Sequence, residues 1–194
     1  MSPAGRAIKR TMDVVAAGTA LLVGGLVLAA IAIAIRAGSR GPALFKQERA
    51  GRGMKPFTLY KFRTMRTDVD PFGVSPTDAA DPRLTRLGRW LRETSLDELP
   101  QLWNILKGDM SLVGPRPLYM SQAREFSERQ RRRLDVRPSL TGLAQVQGRG
   151  EIPHEEKLEI DVQYVEKAGL AMDLRILWRS VVSLLRRRHV YQKW

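Results

Sequence analysis

Residues 14–35 carry no charged side chain, a run of 22 positions. As a helix that run is long enough to cross the roughly 30 Å hydrocarbon layer of a membrane. It predicts a membrane helix, and the other features of the chain have to be compatible with one. Arg6, Lys9 and Arg10 precede the run, and Arg36 and Arg40 follow it. Positive charge at both ends does not choose between a spanning helix and a re-entrant one whose two ends return to the same face. Gly24-Gly25, near the middle, permits a bend without forcing one. A cleaved signal peptide is the competing reading, with Ala-x-Ala at Ala32 to Ala34. Against it, the apolar run exceeds the roughly 7–15 residues of a signal sequence.

The 194 residues suffice for an anchor, residues 1–40, and one domain with a real core, residues 41–194. There is no cysteine, which excludes disulfides, thiolate metal sites and a cysteine nucleophile. His154 and His189 lie far apart, so neither a paired-histidine zinc site nor a serine-histidine triad is supported, and both read as surface residues. Lys and Arg number 33 against 20 Asp and Glu, a net charge of +13. Nucleic acid, anionic head groups and nucleotide-sugar phosphates all suit that charge. Its position beside apolar stretches favours a membrane surface. The basic runs lack the interleaved aromatics of single-strand binders, so no nucleic-acid partner is expected. The competing class is a basic, membrane-tethered binding protein for nucleic acid or acidic polymer, without catalysis.

Residues 94–117, TSLDELPQLWNILKGDMSLVGPRP in the sequence from Thr94, concentrate the chemistry. Leu99, Leu102, Trp103 and Leu106 fall on one face of a short helix that Lys107-Gly108 would end. Pro100 fits only a first helical turn, which places Asp97 and Glu98 at the helix start. The helix dipole there predicts ionised carboxylates able to act as nucleophile, base or metal ligand. Ser95-x-x-Glu98 also reads as a simple capping box. Further on, an apolar strand over 110–113 leads into Gly114-Pro115-Arg116-Pro117, where two prolines stiffen the mount of Arg116, an arrangement suited to bidentate phosphate binding.

The remaining pattern predicts an α/β domain, mostly helical with short strands. Residues 43–49 and 56–63 read as two strands joined by a turn over 50–53. Arg63 at the strand end is a candidate phosphate ligand, set against the default of a solvated arginine. Residues 68–81 form a polar loop. Residues 85–91 are basic and amphipathic, suited either to a membrane surface or to core packing of Leu87, Trp90 and Leu91. A basic helix over 120–134 ends in Arg131-Arg132-Arg133, read as a solvated face. Thr141-Gly142 and Gln147-Gly148-Arg149 could wall a nucleotide or sugar. Helices are predicted over 155–168 and 173–188. The second carries Leu174, Leu177, Trp178, Val181 and Leu185, and with Tyr191 and Trp194 it suits either the core or the head-group layer.

Ordered over nearly the whole chain, the motifs resemble one family. They are Lys9-Arg10-x-x-Asp13, Gly41-Pro42, Gln47-Glu48-Arg49, Lys61-Phe62-Arg63-Thr64-Met65, Asp97-Glu98-Leu99-Pro100-Gln101, Pro115-Arg116-Pro117, Arg137-Pro138-x-Leu140-Thr141-Gly142 and Gln145-Val146-x-Gly148-Arg149. The chain resembles the bacterial sugar transferases, small membrane-bound polyprenyl-phosphate phosphoglycosyl transferases. The resemblance implies transfer of a sugar-1-phosphate from a UDP-sugar to polyprenyl (undecaprenyl) phosphate at the cytoplasmic face of the inner membrane. It implies Asp97 as nucleophile, Mg²⁺ held by Asp97 and Glu98, and phosphate held by Arg116, with Arg63 and Arg149 as further ligands. It also implies a re-entrant helix, although the Ser-Pro pair that breaks that helix in many relatives is absent here. Asp13 reads as structural, an ion pair with Arg10 fixing the anchor to the domain. Membrane lipids are expected partners; a homodimer sharing a membrane face fits the pattern, but no residue specifies it.

Overall fold

The computed structural model describes residues 1–70, 76, 78–148 and 152–185. The apolar run lies inside one helix, α1, Pro3–Gly38, which Ser2 caps through the Gly5 amide. This helix is long and apolar enough to cross a membrane. Leu22, Val23, Leu26 and Ile33 are exposed on it, whereas Asp13, Ala17, Ile31 and Ile35 are buried against the rest of the chain.

Strands β1, Leu44–Ala50, and β2, Pro56–Phe62, follow as an antiparallel hairpin in register from Leu44 opposite Phe62 to Ala50 opposite Pro56. Next come α2, Arg86–Glu93, a single 3₁₀ turn at Leu96–Glu98, α3, Gln101–Lys107, and β3, Ser111–Val113. Helices α4, Met120–Arg124, and α5, Glu128–Arg131, with a 3₁₀ turn at Arg132–Asp135, lead to β4, Ser139–Thr141, which pairs in parallel with β3. The described chain closes with α6, Leu143–Gly148, α7, His154–Lys167, and α8, Leu170–Leu185. It is mostly helical with two short sheets, as the pattern predicts.

Apolar residues of α1 enter two of the core clusters. Ala17 and Leu21 pack with Leu59, Leu102 and Ile105, and Ile31 and Ile35 with Phe62 and Leu91. Polar groups hold its ends. Lys9 Nζ donates to Asp173 (2.7 Å) and to the Val113 carbonyl (3.0 Å), and Tyr164 Oη donates to the same two residues. Arg10 and Asp13 do not pair with each other as expected. Arg10 donates to the carbonyls of Ile105 and Leu106, satisfying the open end of α3, and buried Asp13 accepts the Leu112 amide at 2.9 Å. Asp13 is therefore structural, through a different partner.

Arg63 is likewise committed to α1. Its guanidinium donates to the carbonyls of Ile35, Ser39 and Arg40, where the helix runs out of amide donors. The structure gives this candidate phosphate ligand the place of a helix-end brace, its buried side chain engaged by three carbonyls. Arg63→Met should lower unfolding stability by about 2 kcal/mol, the scale for lost hydrogen bonds from a charged donor. Thermal unfolding in detergent measures this, and an unchanged melting temperature would remove the brace from the account.

Other expectations are resolved by side-chain chemistry. The helix expected over 120–134 is interrupted because Ser127 and Gln130 form a capping box that starts α5 afresh. Its basic run is a solvated face except at Arg133, with Arg129, Arg131 and Arg132 exposed. Arg129 and Arg132 pair with Glu159 and Glu166, and Arg133 is buried against Asp161. On α2, Leu87 and Leu91 face the core and Trp90 faces outward. On α8, Ile176 is buried, while Leu174, Trp178 and Val181 are exposed. His154 is exposed. Arg149, the Arg-rich end over 186–188, His189, Tyr191 and Trp194 lie outside the described residues.

Candidate active site

The paired carboxylates do not start α3. Asp97 and Glu98 occupy the 3₁₀ turn before it, with Pro100 at the cap between them and the helix. Ser95 adopts φ 58° and its side chain does not cap the turn, so the capping-box reading fails. Two apolar side chains set the turn in place. Leu96 packs into the cluster of Phe62, Leu91, Ile31 and Ile35, and Leu99 into that of Ala17, Leu59 and Leu102. The dyad thus sits between two clusters that both contain α1.

The two carboxylates differ sharply. Glu98 Oε1 accepts from Lys61 Nζ at 2.8 Å and Arg116 Nη2 at 2.7 Å. Burial alone would favour its neutral form, but Arg116 and Lys61 outweigh burial and hold it well below the ordinary glutamate range. Asp97, 8 % exposed, has no hydrogen-bond partner among the described residues. Burial pushes it up to about 6, reinforced by Glu98 and opposed by Lys61, Arg92 and Arg116. The dipole argument predicted a carboxylate held firmly ionised. Desolvation reverses the direction, yet leaves Asp97 mostly anionic at neutral pH.

Arg116 stands where the sequence placed it, on a loop whose backbone is fastened residue by residue. The Pro115 carbonyl accepts the Ser139 amide (2.8 Å), that of Arg116 accepts Arg133 Nη2 (2.7 Å), that of Pro117 accepts Arg49 Nη1 (3.5 Å), and that of Leu118 accepts the Ala50 amide (2.9 Å). Gly142 serves packing here: a Cβ at this position would lie 2.0 Å from the Gly114 carbonyl oxygen, so only glycine lets β4 close on the loop.

Sequence reasoning missed three cations. Lys61 rather than Arg63 reaches Glu98 from β2. Arg92, whose Nε donates to Thr64 Oγ1 at 2.9 Å, bears on Asp97 from α2. Arg49 stacks on the Tyr119 ring, 3.6 Å from its centroid, and bonds Gln47 Oε1 at 2.5 Å. Burial, with Arg116 nearby, lowers it to about 10. Lys61 and Arg49 lie within the Lys61-Phe62-Arg63-Thr64-Met65 and Gln47-Glu48-Arg49 motifs, but no local pattern shows which strand cation reaches a site built by distant segments.

For a metal, no group of three or more acidic, histidine or cysteine side chains converges among the described residues. Magnesium seldom needs one, since it is held through one or two carboxylates together with substrate phosphates. The unpartnered Asp97 carboxylate and the second oxygen of Glu98 fit that requirement.

Comparison with known proteins identifies the family. The family model of the bacterial sugar transferases matches residues 4–187. The chain is 45% identical over 178 residues to the uncharacterized sugar transferase EpsL of Bacillus subtilis, covering 92% of this chain and 87% of that one. It is 46% identical over 197 residues to the UDP-glucose:undecaprenyl-phosphate glucose-1-phosphate transferase of Caulobacter vibrioides, covering 94% and 72%. It is 42% identical over 196 residues to the exopolysaccharide production protein PSS of Rhizobium leguminosarum bv. phaseoli, covering 93% and 96%. With a match over nearly its whole length and a buried dyad flanked by cations, the chain belongs to the bacterial sugar transferase family and is a transferase.

Proposed function

We propose that the chain transfers a sugar-1-phosphate from a UDP-sugar to undecaprenyl phosphate, releasing UMP, at the cytoplasmic face of the membrane that holds α1 as a re-entrant helix. The observation that carries this reading is the unpartnered, buried Asp97 carboxylate beside a Glu98 whose charge Lys61 and Arg116 hold in place. An Asp97 oxygen attacks the sugar-bearing phosphorus, the bond to the bridging oxygen breaks, and UMP leaves with that electron pair. A phosphate oxygen of the lipid then attacks the same phosphorus, breaking its bond to Asp97 and regenerating the carboxylate. Arg116 and Lys61 neutralise phosphate oxygens through both displacements, with Arg92 lending its charge beside Asp97. A Mg²⁺ held by Asp97 and Glu98 would supply further neutralisation of the diphosphate. Arg149 is retained as a phosphate ligand from the resemblance.

The exposed Trp90, Trp103, Leu174 and Trp178 support contact with membrane lipids, the aromatic rings suiting the head-group layer. The non-catalytic polyanion binder is less favoured, because the exposed Arg129 and Arg132 already pair with Glu159 and Glu166 at the surface and Arg133 is buried against Asp161.

The test is UMP release from a panel of UDP-sugars by detergent-solubilised protein, with Mg²⁺ and undecaprenyl phosphate each present or withheld. Sustained release with one sugar should require both, and without the lipid it should stop at one UMP per chain. No release with any sugar, from protein shown to be folded, would overturn the reading.

A further inference from the structure

Arg133 and Asp161 are each 3% exposed, an uncommon situation for ionisable side chains, and neither belongs to the Asp97–Glu98 cluster. Arg133 Nη2 donates to Asp161 Oδ2 at 2.5 Å and to the Arg116 carbonyl at 2.7 Å, and its guanidinium lies 5.3 Å from the Phe126 ring centroid. A buried ion pair is weak ground for stability, since apolar residues of similar volume often serve as well. What this pair does beyond folding is grip one backbone carbonyl. Of the four consecutive carbonyls fastened along 115–118, Arg133 holds the one belonging to the residue whose side chain reaches Glu98. The negative charge of Asp161 also favours the Arg116 guanidinium. Its Oδ1 is buried with no hydrogen-bond partner among the described residues, so Arg133 is the donor that this carboxylate engages there.

We propose that Arg133 and Asp161 are positioning residues for Arg116: Asp161 orients Arg133, and Arg133 fixes the backbone from which the Arg116 guanidinium is aimed at the dyad and the substrate phosphates. This rests on the phosphoryl-transfer reading above. Misplacing such a group by about 1 Å is enough to lose roughly 10²-fold in rate.

Arg133→Met with Asp161→Leu removes the grip without leaving a lone buried charge. The double variant should keep the wild-type melting temperature, while kcat/KM for the UDP-sugar falls about 10²-fold. In an Arg116→Ala background the same replacement should change kcat/KM by less than about twofold, because it acts through Arg116. Should the double variant not fold, Arg133→Lys carries the same comparison. A folded variant with wild-type kcat/KM, or a loss that recurs in full without Arg116, would overturn the proposal. Hydrogen exchange over 113–120, measured without substrate, should be faster in the variant, and unchanged exchange would count equally against it. If the wild-type protein releases no UMP, the transfer reading fails, while exchange still decides whether the grip exists.

Discussion

Asp97→Asn should abolish sustained UMP release, a loss of about 10⁴-fold or more by analogy with removal of other covalent nucleophiles, while leaving the protein attached to membranes. It should also make the protein more stable at neutral pH. Burial raises the folded-state value of Asp97 to about 6 from 3.8. Between those values the folded state binds the extra proton, so wild-type stability falls as pH rises through that interval and stays lower above it. Asparagine has no charge to bury. Its advantage should be absent below about pH 4, grow to about pH 6 and level off there, worth roughly 2–3 kcal/mol. Thermal unfolding of both proteins from pH 4 to 8 measures it, and parallel curves would show that Asp97 is not desolvated. Wild-type kcat/KM should rise with pH along an acid limb near 6, as the nucleophile ionises.

Glu98→Gln should reduce turnover by about 10²–10³-fold, the scale for removing a group that organises transition-state charge. Lys61 and Arg116 would then share a neutral amide in place of the single carboxylate oxygen that now separates them. Breaking a well-buried pair this way costs several kcal/mol. Arg116 is nearly half exposed, so about 2 kcal/mol is the appropriate scale here. The sign with pH is opposite to that of Asp97. Glu98 is held below its ordinary value, so its contribution is present above about pH 4.5 and is lost as pH falls further. Adding Lys61→Met should recover part of the stability and none of the activity. Full activity in Glu98→Gln would make Glu98 a packing residue.

The sequence made the dyad, the proline-flanked Arg116 and the apolar helix legible because each is local. Carboxylate adjacency, two prolines and an uncharged run can be read without knowing what lies opposite. The cation assignments were not legible in the same way. Arg63 and Lys61 are two residues apart on one strand end, and only the position of the α1 carboxyl end decides that Arg63 caps it while Lys61 reaches Glu98. The state of Asp97 failed for a related reason. A helix-start argument counts the nearest dipole, whereas the larger effect is burial of the Asp97 side chain away from water. The arginines beside Arg133 point to a solvated face, although its partner lies 28 residues away on α7.

The seating of Leu96 and Leu99 in clusters shared with α1 makes that helix a ruler for the turn that carries the dyad. The height of the Asp97 carboxylate over the apolar helix is set by side-chain packing, not by the length of the connection over 39–43. Lengthening that connection should leave the carboxylate where it is, whereas trimming Leu96 should let it drift. A lipid phosphate confined to the plane of a bilayer would then meet its target at one fixed depth, and the search for it would be two-dimensional.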